Sequence, residues 1–340
     1  MIDFVFTVDY EIYGDGRGAF KDLVYEPARR LVDLFLSRDV RFVAFVEAAE
    51  FEKIERYDTD SAIALVSKQI EGFCREGFEI GLHLHPQWCN AHYERGRWLL
   101  DSAEYNLCTL PRPRIVEIVR NAIGYLRHVV NRPQFTPRCF RAGNWLFQPT
   151  SIAASVLGEA GIHLDSSVFK GGLQRNHGLD YRPAQKNGYF WRFEHDVNDP
   201  DPRGRWIEVP IYTERVLPWR MATSKRLRLN HGGRAGGQST RQRVNGALDL
   251  LRYRYPLKLD FCRMTLAELV SMTSRIIQED RRQPEVYKPI VAIGHTKDLR
   301  DMQTVSDFLT FLHVQKIPVT TFDSIYSKLA QEMAPTAVVA

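Results

Sequence analysis

The run Phe78-Glu79-Ile80-Gly81-Leu82-His83-Leu84-His85-Pro86-Gln87-Trp88 ends an apolar stretch in two histidines. Phe78, Ile80, Leu82 and Leu84 alternate with other residues, which is the period of an extended chain. Side chains two apart on a strand share a face, so His83 and His85 project together. Pro86 then stops the ladder, because it has no N–H to give. Two imidazoles held side by side can begin a metal site. In isolation the same pair reads equally as ordinary core or surface histidines, so the rest of the chain must decide.

Three further segments carry chemistry where strands are expected to end. Asp9 and Glu11 follow Phe6-Thr7-Val8 and are two apart, so both can face one cleft. A carboxylate there can ligate a metal or take a proton from water. Joined to the histidines, a carboxylate makes a two-histidine, one-carboxylate set with open positions. Arg141, followed by Asn144 and Trp145, can orient a carboxylate through a two-pronged contact. His295 closes Ile293-Gly294-His295-Thr296-Lys297-Asp298 and suits a general acid near neutrality. Each has a plainer reading as a cap carboxylate, a surface ion pair or a structural histidine. There is no Gly-x-Ser-x-Gly and no P-loop, and Gly14, Gly16 and Gly18 do not lead into a helix.

The elements that must position these residues alternate strand and helix. Strands are expected at about Asp3–Val8, Arg41–Val46, Glu79–His85, Ile162–Val168, Trp206–Tyr212, Pro289–Ile293 and Val319–Phe322, and Cys139–Trp145 reads as a strand end and turn. Helices are expected from Pro27, over Ala62–Arg75, Ile115–Val129 and Ser151–Ala160, from a Thr265-Leu266-Ala267-Glu268 capping box to about Gln278, then over Val305–Leu312 and Ser324–Met333. Residues 88–110 and 170–201 read as loops. Alternation of this kind gives a parallel sheet with helical crossovers, whose sites form at the C-terminal strand ends. About seven strand–helix units and no linker imply one barrel-like domain over residues 1–335.

Length and composition fit that outline. The chain has 340 residues, 44% hydrophobic and 26% charged, with no apolar run long enough to cross a bilayer. The first residues, Met1-Ile2-Asp3-Phe4, carry no basic region of a signal peptide. Five cysteines without zinc-like spacing suit free thiols in a cytoplasmic setting. The net charge is +5, but no acid lies between Glu214 and Asp249, and removing the eight basic charges there takes it to −3. That localisation argues against a nucleic-acid surface and for a local basic, mobile loop at about 225–243. Such a loop could meet a phosphate or a nucleotide diphosphate on an activated sugar.

In this order the segments resemble the polysaccharide deacetylase family (NodB-homology, carbohydrate esterase family 4), over about residues 3–330. Asp9-Tyr10-Glu11 resembles its first motif, Glu79-Ile80-Gly81-Leu82-His83 its second, and Phe140-Arg141 its third. Asp165-Ser166-Ser167, Ile293-Gly294-His295 and Lys316-Ile317-Pro318-Val319-Thr320-Thr321-Phe322 resemble later ones. Four residues after His83, where that family places a second histidine, stands Gln87, and the nearest other histidine is His85. The resemblance implies a distorted (β/α)7 barrel of the NodB type and a divergent branch like the deacetylases of surface-polysaccharide (O-antigen) loci. It implies a divalent metal, Zn2+ or similar, on Glu11, His83 and His85, with Asp9 as base, Arg141 orienting it and His295 as acid. Asp298 or Asp165 could orient His295. Tyr10, Trp88, Asn144, Trp145, Asp165 and Trp191 are candidates to contact an N-acylated amino sugar, free or linked to a nucleotide or lipid. Two alternatives stay open: hydrolysis of a non-sugar amide or a glycoside, and a non-catalytic sugar-binding relative.

Overall fold

The structure is a computed structural model and describes residues 1–221, 223, 225, 226, 229 and 254–332. The basic loop expected at 225–243 lies outside the described residues except for Lys225, Arg226 and Leu229, as does the tail from Met333.

Among the described residues nine strands build one sheet: β1 (Ile2–Tyr10), β2 (Val43–Glu47), β3 (Glu79–Leu84), β4 (Cys139–Ala142), β5 (Leu164–Asp165), β6 (Trp191–Phe193), β7 (Trp206–Glu208), β8 (Lys288–His295) and β9 (Val319–Thr320). Their order is β6-β7-β5-β4-β3-β2-β1-β8, with β9 also on β1. Within this sheet, among the described residues, only β6 and β7 pair antiparallel. Beyond β7, Ile211 bridges Phe169 on one side and Val291 of β8 on the other, and Asp260 bridges Ile293. These bridges link the two ends of the curled sheet, and the parallel barrel class expected from the sequence is what forms.

Among the described residues the α-helices are α1 (Glu26–Leu36), α2 (Ala48–Tyr57), α3 (Ile63–Arg75), α4 (Arg112–Val129), α5 (Ser151–Glu159), α6 (Leu266–Arg282), α7 (Met302–Val314) and α8 (Phe322–Glu332). They cover the outer face, so the central strands are buried on both sides and read as nearly continuous apolar runs. Phe4 and Phe6 of β1 meet Phe308 of α7, and Phe6 meets Phe35 of α1, in edge-to-face contacts. Gly81 is needed in β3 because a Cβ there would lie 2.6 Å from the Phe45 ring and 2.8 Å from Cys139 Sγ. The Thr265–Glu268 capping box opens α6 as its sequence requires.

Three expectations change in detail. Residues 88–110 are not all loop, since His92–Glu94 pairs with Arg97–Leu99 in a small ribbon. The strand expected over Trp206–Tyr212 shortens because Pro210 interrupts its donors, although Val209 and Ile211 still bond to Asp165 and Val168. Helix α2, directly after β2, carries no start signal of the usual Ser, Thr, Asp or Asn type. Glu47 caps it instead, its Oε1 accepting from Ala49 N at 3.0 Å and Glu50 N at 3.3 Å.

Candidate metal and acid–base site

Neighbouring strand ends bring the expected groups together. β1 delivers Asp9 and, one residue past its end, Glu11. β3 delivers His83 and His85, β4 delivers Arg141, and β8 delivers His295. Parallel pairing places Asp9 opposite His295 and His83 opposite Arg141. Glu11 Oε2 lies 3.0 Å from His85 Nε2 and 3.4 Å from His83 Nε2. Among the described residues, Glu11, His83 and His85 are the one cluster able to hold a metal, and all three are buried.

These residues fit a divalent cation on their own chemistry. His83 Nδ1 lies 2.8 Å from the carbonyl oxygen of Arg141. A carbonyl only accepts, so Nδ1 carries a proton and Nε2 is the nitrogen turned toward Glu11, the one a metal would take in place of a proton. His85 Nδ1 lies 3.3 Å from the Asn144 amide and 3.4 Å from the Gln87 amide. Gln87 Oε1 is buried with no hydrogen-bond partner among the described residues, and exchanging the amide ends hands it the Nδ1–H of His85. Glu47 Oε2 accepts from the backbone N–H of His85. The region is also rich in negative charge. Burial, with Glu11 and Glu47 nearby, pushes the Glu50 carboxyl well above the carboxylate range. Burial also works against ionising Glu11, yet Lys297 and the two histidines outweigh it and hold that carboxyl well below its usual range. Burial disfavours the charged form of His83, but Glu11 and Asp9 raise its pKa to about 9.

Beside this cluster lies an acid–base pair. Arg141 is wholly buried over the Phe45 ring. Its Nη1 donates to Asp9 Oδ1 at 2.6 Å, its Nη2 to Thr7 Oγ1 at 2.9 Å and its Nε to the Ser166 carbonyl at 2.9 Å. The other Asp9 oxygen, Oδ2, lies 3.3 Å from His295 Nε2. Burial pushes Asp9 up, but Arg141 and His295 prevail and leave it below its ordinary value. Burial lowers His295, with Asp9 opposing and Lys297 reinforcing, so its net shift is downward. His295 Nδ1 is buried with no hydrogen-bond partner among the described residues. Neither acid named for orienting it does so. Asp298 Oδ2 accepts from Arg263 Nε at 2.7 Å, and Asp165 accepts from the backbone N–H and hydroxyl of Ser167.

The aromatic candidates divide. Asn144 and Trp145 border the cluster, Asn144 beside His85 and Trp145 beside His295. Both have left-handed φ, +53° and +61°, a strained pair of a kind that persists where the surroundings enforce it. Tyr181 Oη donates to Trp145 O at 2.6 Å and Gln174 Nε2 to Asn144 O at 3.0 Å, which fixes the turn. Gly143 before it allows a close approach, since a Cβ there would lie 2.5 Å from Leu84 O. The Trp145 ring stands edge-on to His295 at 6.3 Å. Tyr10, Trp88, Trp191 and Asp165 are not placed to meet a ligand. Tyr10 points away from Asp9 and Glu11, is buried against Phe51 and Phe73, and bonds Gln69. Trp88 is buried under Trp98, Trp191 donates from its indole to Val197 O, and Asp165 is fully buried in hydrogen bonds to Ser167.

A cavity of about 210 Å³ opens beside His295, walled by Trp145, Lys258, Asp260, Arg263 and Lys297. Larger clefts of about 360, 450 and 520 Å³ lie elsewhere, away from these residues. Sequence reasoning assigned no role to Glu47, Lys258, Asp260 or Lys297. Glu47 had the same signal as Asp9, an acid at a strand end. Lys297 sits two residues past His295. Lys258 had no such signal, because its strand, Tyr255–Lys258, pairs with Thr213–Val216 outside the main sheet.

No family model matches the sequence, and no curated protein matches it. Solved structures do. One, from Mycobacterium smegmatis and assigned as a polysaccharide deacetylase, is 14% identical with a TM-score of 0.56, over 100% of this chain and 94% of that one. A PuuE allantoinase is 13% identical with a TM-score of 0.49, over 100% and 92%. The family 4 carbohydrate esterase of Streptomyces lividans, in complex with acetate, is 8% identical with a TM-score of 0.41, over 93% and 91%. The first likeness is one of fold, and it agrees with the NodB-type distorted barrel. No helix of the described residues is long and apolar enough to cross a membrane.

Proposed function

We propose that this protein is a metal-dependent hydrolase that removes an N-acyl group, acetyl in the simplest case, from an amino sugar of a polysaccharide or its precursor. The observation that carries this reading is a buried Glu11–His83–His85 cluster beside a carboxylate, Asp9, clamped by Arg141 and touching His295. A divalent ion such as Zn2+, held by Glu11, His83 and His85, would supply Lewis-acid polarisation of the acyl oxygen and of a water. Asp9, kept ionised by Arg141, takes the proton of the attacking water. The direct Asp9–His295 contact gives that proton a short route to the imidazole. His295 then protonates the leaving amine, which departs poorly as an anion. Trp145 forms an apolar wall for the sugar ring, and Asn144 steadies His85. A cytoplasmic role in bacterial surface-polysaccharide (O-antigen) synthesis, on one domain over residues 1–335, belongs to the same proposal and rests on the sequence resemblance.

The test is acetate release from N-acetylated amino sugars by metal-loaded protein, with Glu11→Gln and His83→Ala as controls. Release that both substitutions abolish supports the reading, and no release from any N-acylated sugar overturns it. One observation favours a non-catalytic relative instead: Lys297 Nζ lies 2.6 Å from Glu11 Oε1, so a fixed cation already serves that carboxylate. Metal analysis separates the two, because a site satisfied by lysine would hold no stoichiometric ion.

A further inference from the structure

The cavity beside His295 has an unusual cation in its wall. Four basic residues line it: Arg226, Lys258, Arg263 and Lys297. Three are matched to carboxylates. Arg226 Nη2 lies 2.5 Å from Glu268 Oε1, Arg263 Nε 2.7 Å from Asp298 Oδ2, and Lys297 Nζ 2.6 Å from Glu11 Oε1. Among the described residues the side chain of Lys258 alone of the four has no ion pair and no hydrogen bond. Its Nζ instead sits 3.0 Å from the centre of the Trp145 ring and 4.8 Å from that of Phe169. Asp260, the nearest acid along its segment, spends Oδ1 on the backbone N–H groups of Cys262 and Arg263.

We infer that Lys258 makes this cavity an anion subsite, so that the acylated substrate carries a carboxylate or phosphate group near the bond that is broken. Desolvating an ammonium without a carboxylate is costly, and two aromatic faces repay only part of it. A ligand anion would complete the set that Arg226, Arg263 and Lys297 already have. The rings hold the amine toward the cavity that also exposes His295, which puts the anion and the scissile bond on one ligand. Burial lowers the Lys258 amine to about 7, with Asp260 and Asp9 opposing and Arg263 and Arg141 reinforcing. A bound anion favours the charged form, so at pH 8 binding takes up a proton. The inference rests on the deacylase reading only for the identity of the bond.

The experiment is calorimetric titration of the metal-loaded full chain at pH 8 with three probes: N-acetylglucosamine, its 6-phosphate, and N-acetylmuramic acid, which carries a carboxylate. One charge-assisted hydrogen bond predicts that at least one anionic probe binds about tenfold or more tighter than the neutral sugar. The phosphate and carboxylate arms show which anion is meant. Lys258→Met should bring the ratio to about one, and Lys258→Arg should restore most of it. A ratio near one in the unsubstituted protein, or an unchanged ratio in Lys258→Met, overturns the inference. Acetate release is followed in the same samples. Release without anion preference sinks the Lys258 inference alone, whereas preference without release sinks the deacylase reading alone.

Discussion

His83 and Arg141 stand opposite each other on paired strands, and His83 Nδ1 donates to the Arg141 carbonyl oxygen at 2.8 Å. The guanidinium of the same Arg141 holds Asp9 at 2.6 Å. One residue thus sets a candidate ligand through its backbone and a candidate base through its side chain. Arg141→Lys separates the two. The carbonyl remains, so metal content should stay near stoichiometric. Asp9 loses its fixed orientation, and the acyl-release rate should fall by about 100-fold or more. Loss of a buried guanidinium with several partners should also destabilise the fold by roughly 3–5 kcal/mol. Metal lost together with activity would show that the side chain, not the carbonyl, sets His83.

His85 and Gln87 allow a paired test. The imidazole of His85 reaches Glu11, while the amide of Gln87 reaches only the far nitrogen of that imidazole. His85→Ala should therefore abolish metal binding and activity. Gln87→Ala should keep a metal and weaken its affinity by about 10–100-fold, as loss of an outer partner does. Metal retained in His85→Ala but lost in Gln87→Ala would reverse these roles.

Strand-end logic makes the convergence of these candidate residues legible, because a parallel sheet turns sequence order into spatial order. Asp9, His83, Arg141 and His295 each close a strand, and neighbouring strands bring them together. The period of two that put Asp9 and Glu11 on one side also put Tyr10 on the other, so its burial was legible from the same rule. Glu47 was legible too, as an acid ending β2. Two features were not. The contact between Asp9 and His295 depends on β1 pairing with β8, nearly 300 residues apart, and no local pattern encodes that register. Lys258 depends on a short ribbon whose partner strand lies across a stretch outside the described residues.

Tyr10 separates a core aromatic from a sugar platform. Its hydroxyl lies 2.5 Å from Gln69 Oε1, and its ring packs edge-on against Phe51 and Phe73. Tyr10→Phe keeps the ring and removes one hydrogen bond. Acyl release should stay within about twofold, while urea unfolding should show a loss of roughly 1 kcal/mol. A tenfold rise in KM with unchanged stability would put Tyr10 in contact with substrate after all.

Glu79 opens β3 at the end of the strand away from the histidines, and it predicts a pH dependence separate from catalysis. Its carboxyl is buried, with Oε1 3.3 Å from Cys139 Sγ and Oε2 accepting from Asp323 N at 2.9 Å in the first turn of α8. Burial, with Asp323 adding, raises its pKa from 4.5 to about 7. The folded state therefore binds this proton more tightly than the unfolded chain does. The stability it contributes is fully present below about pH 4.5 and is lost as the pH rises to about 7. Linkage puts that loss on the order of 3 kcal/mol at most. Glu79→Gln stays neutral throughout, so its stability should gain on that of the unsubstituted protein across this window and level off above it. Chemical unfolding of both proteins from pH 4.5 to 8 measures the difference and cancels every other titrating group. Parallel curves would mean that Glu79 is already ionised in the fold at pH 5, and that the contact with Asp323 N outweighs its burial.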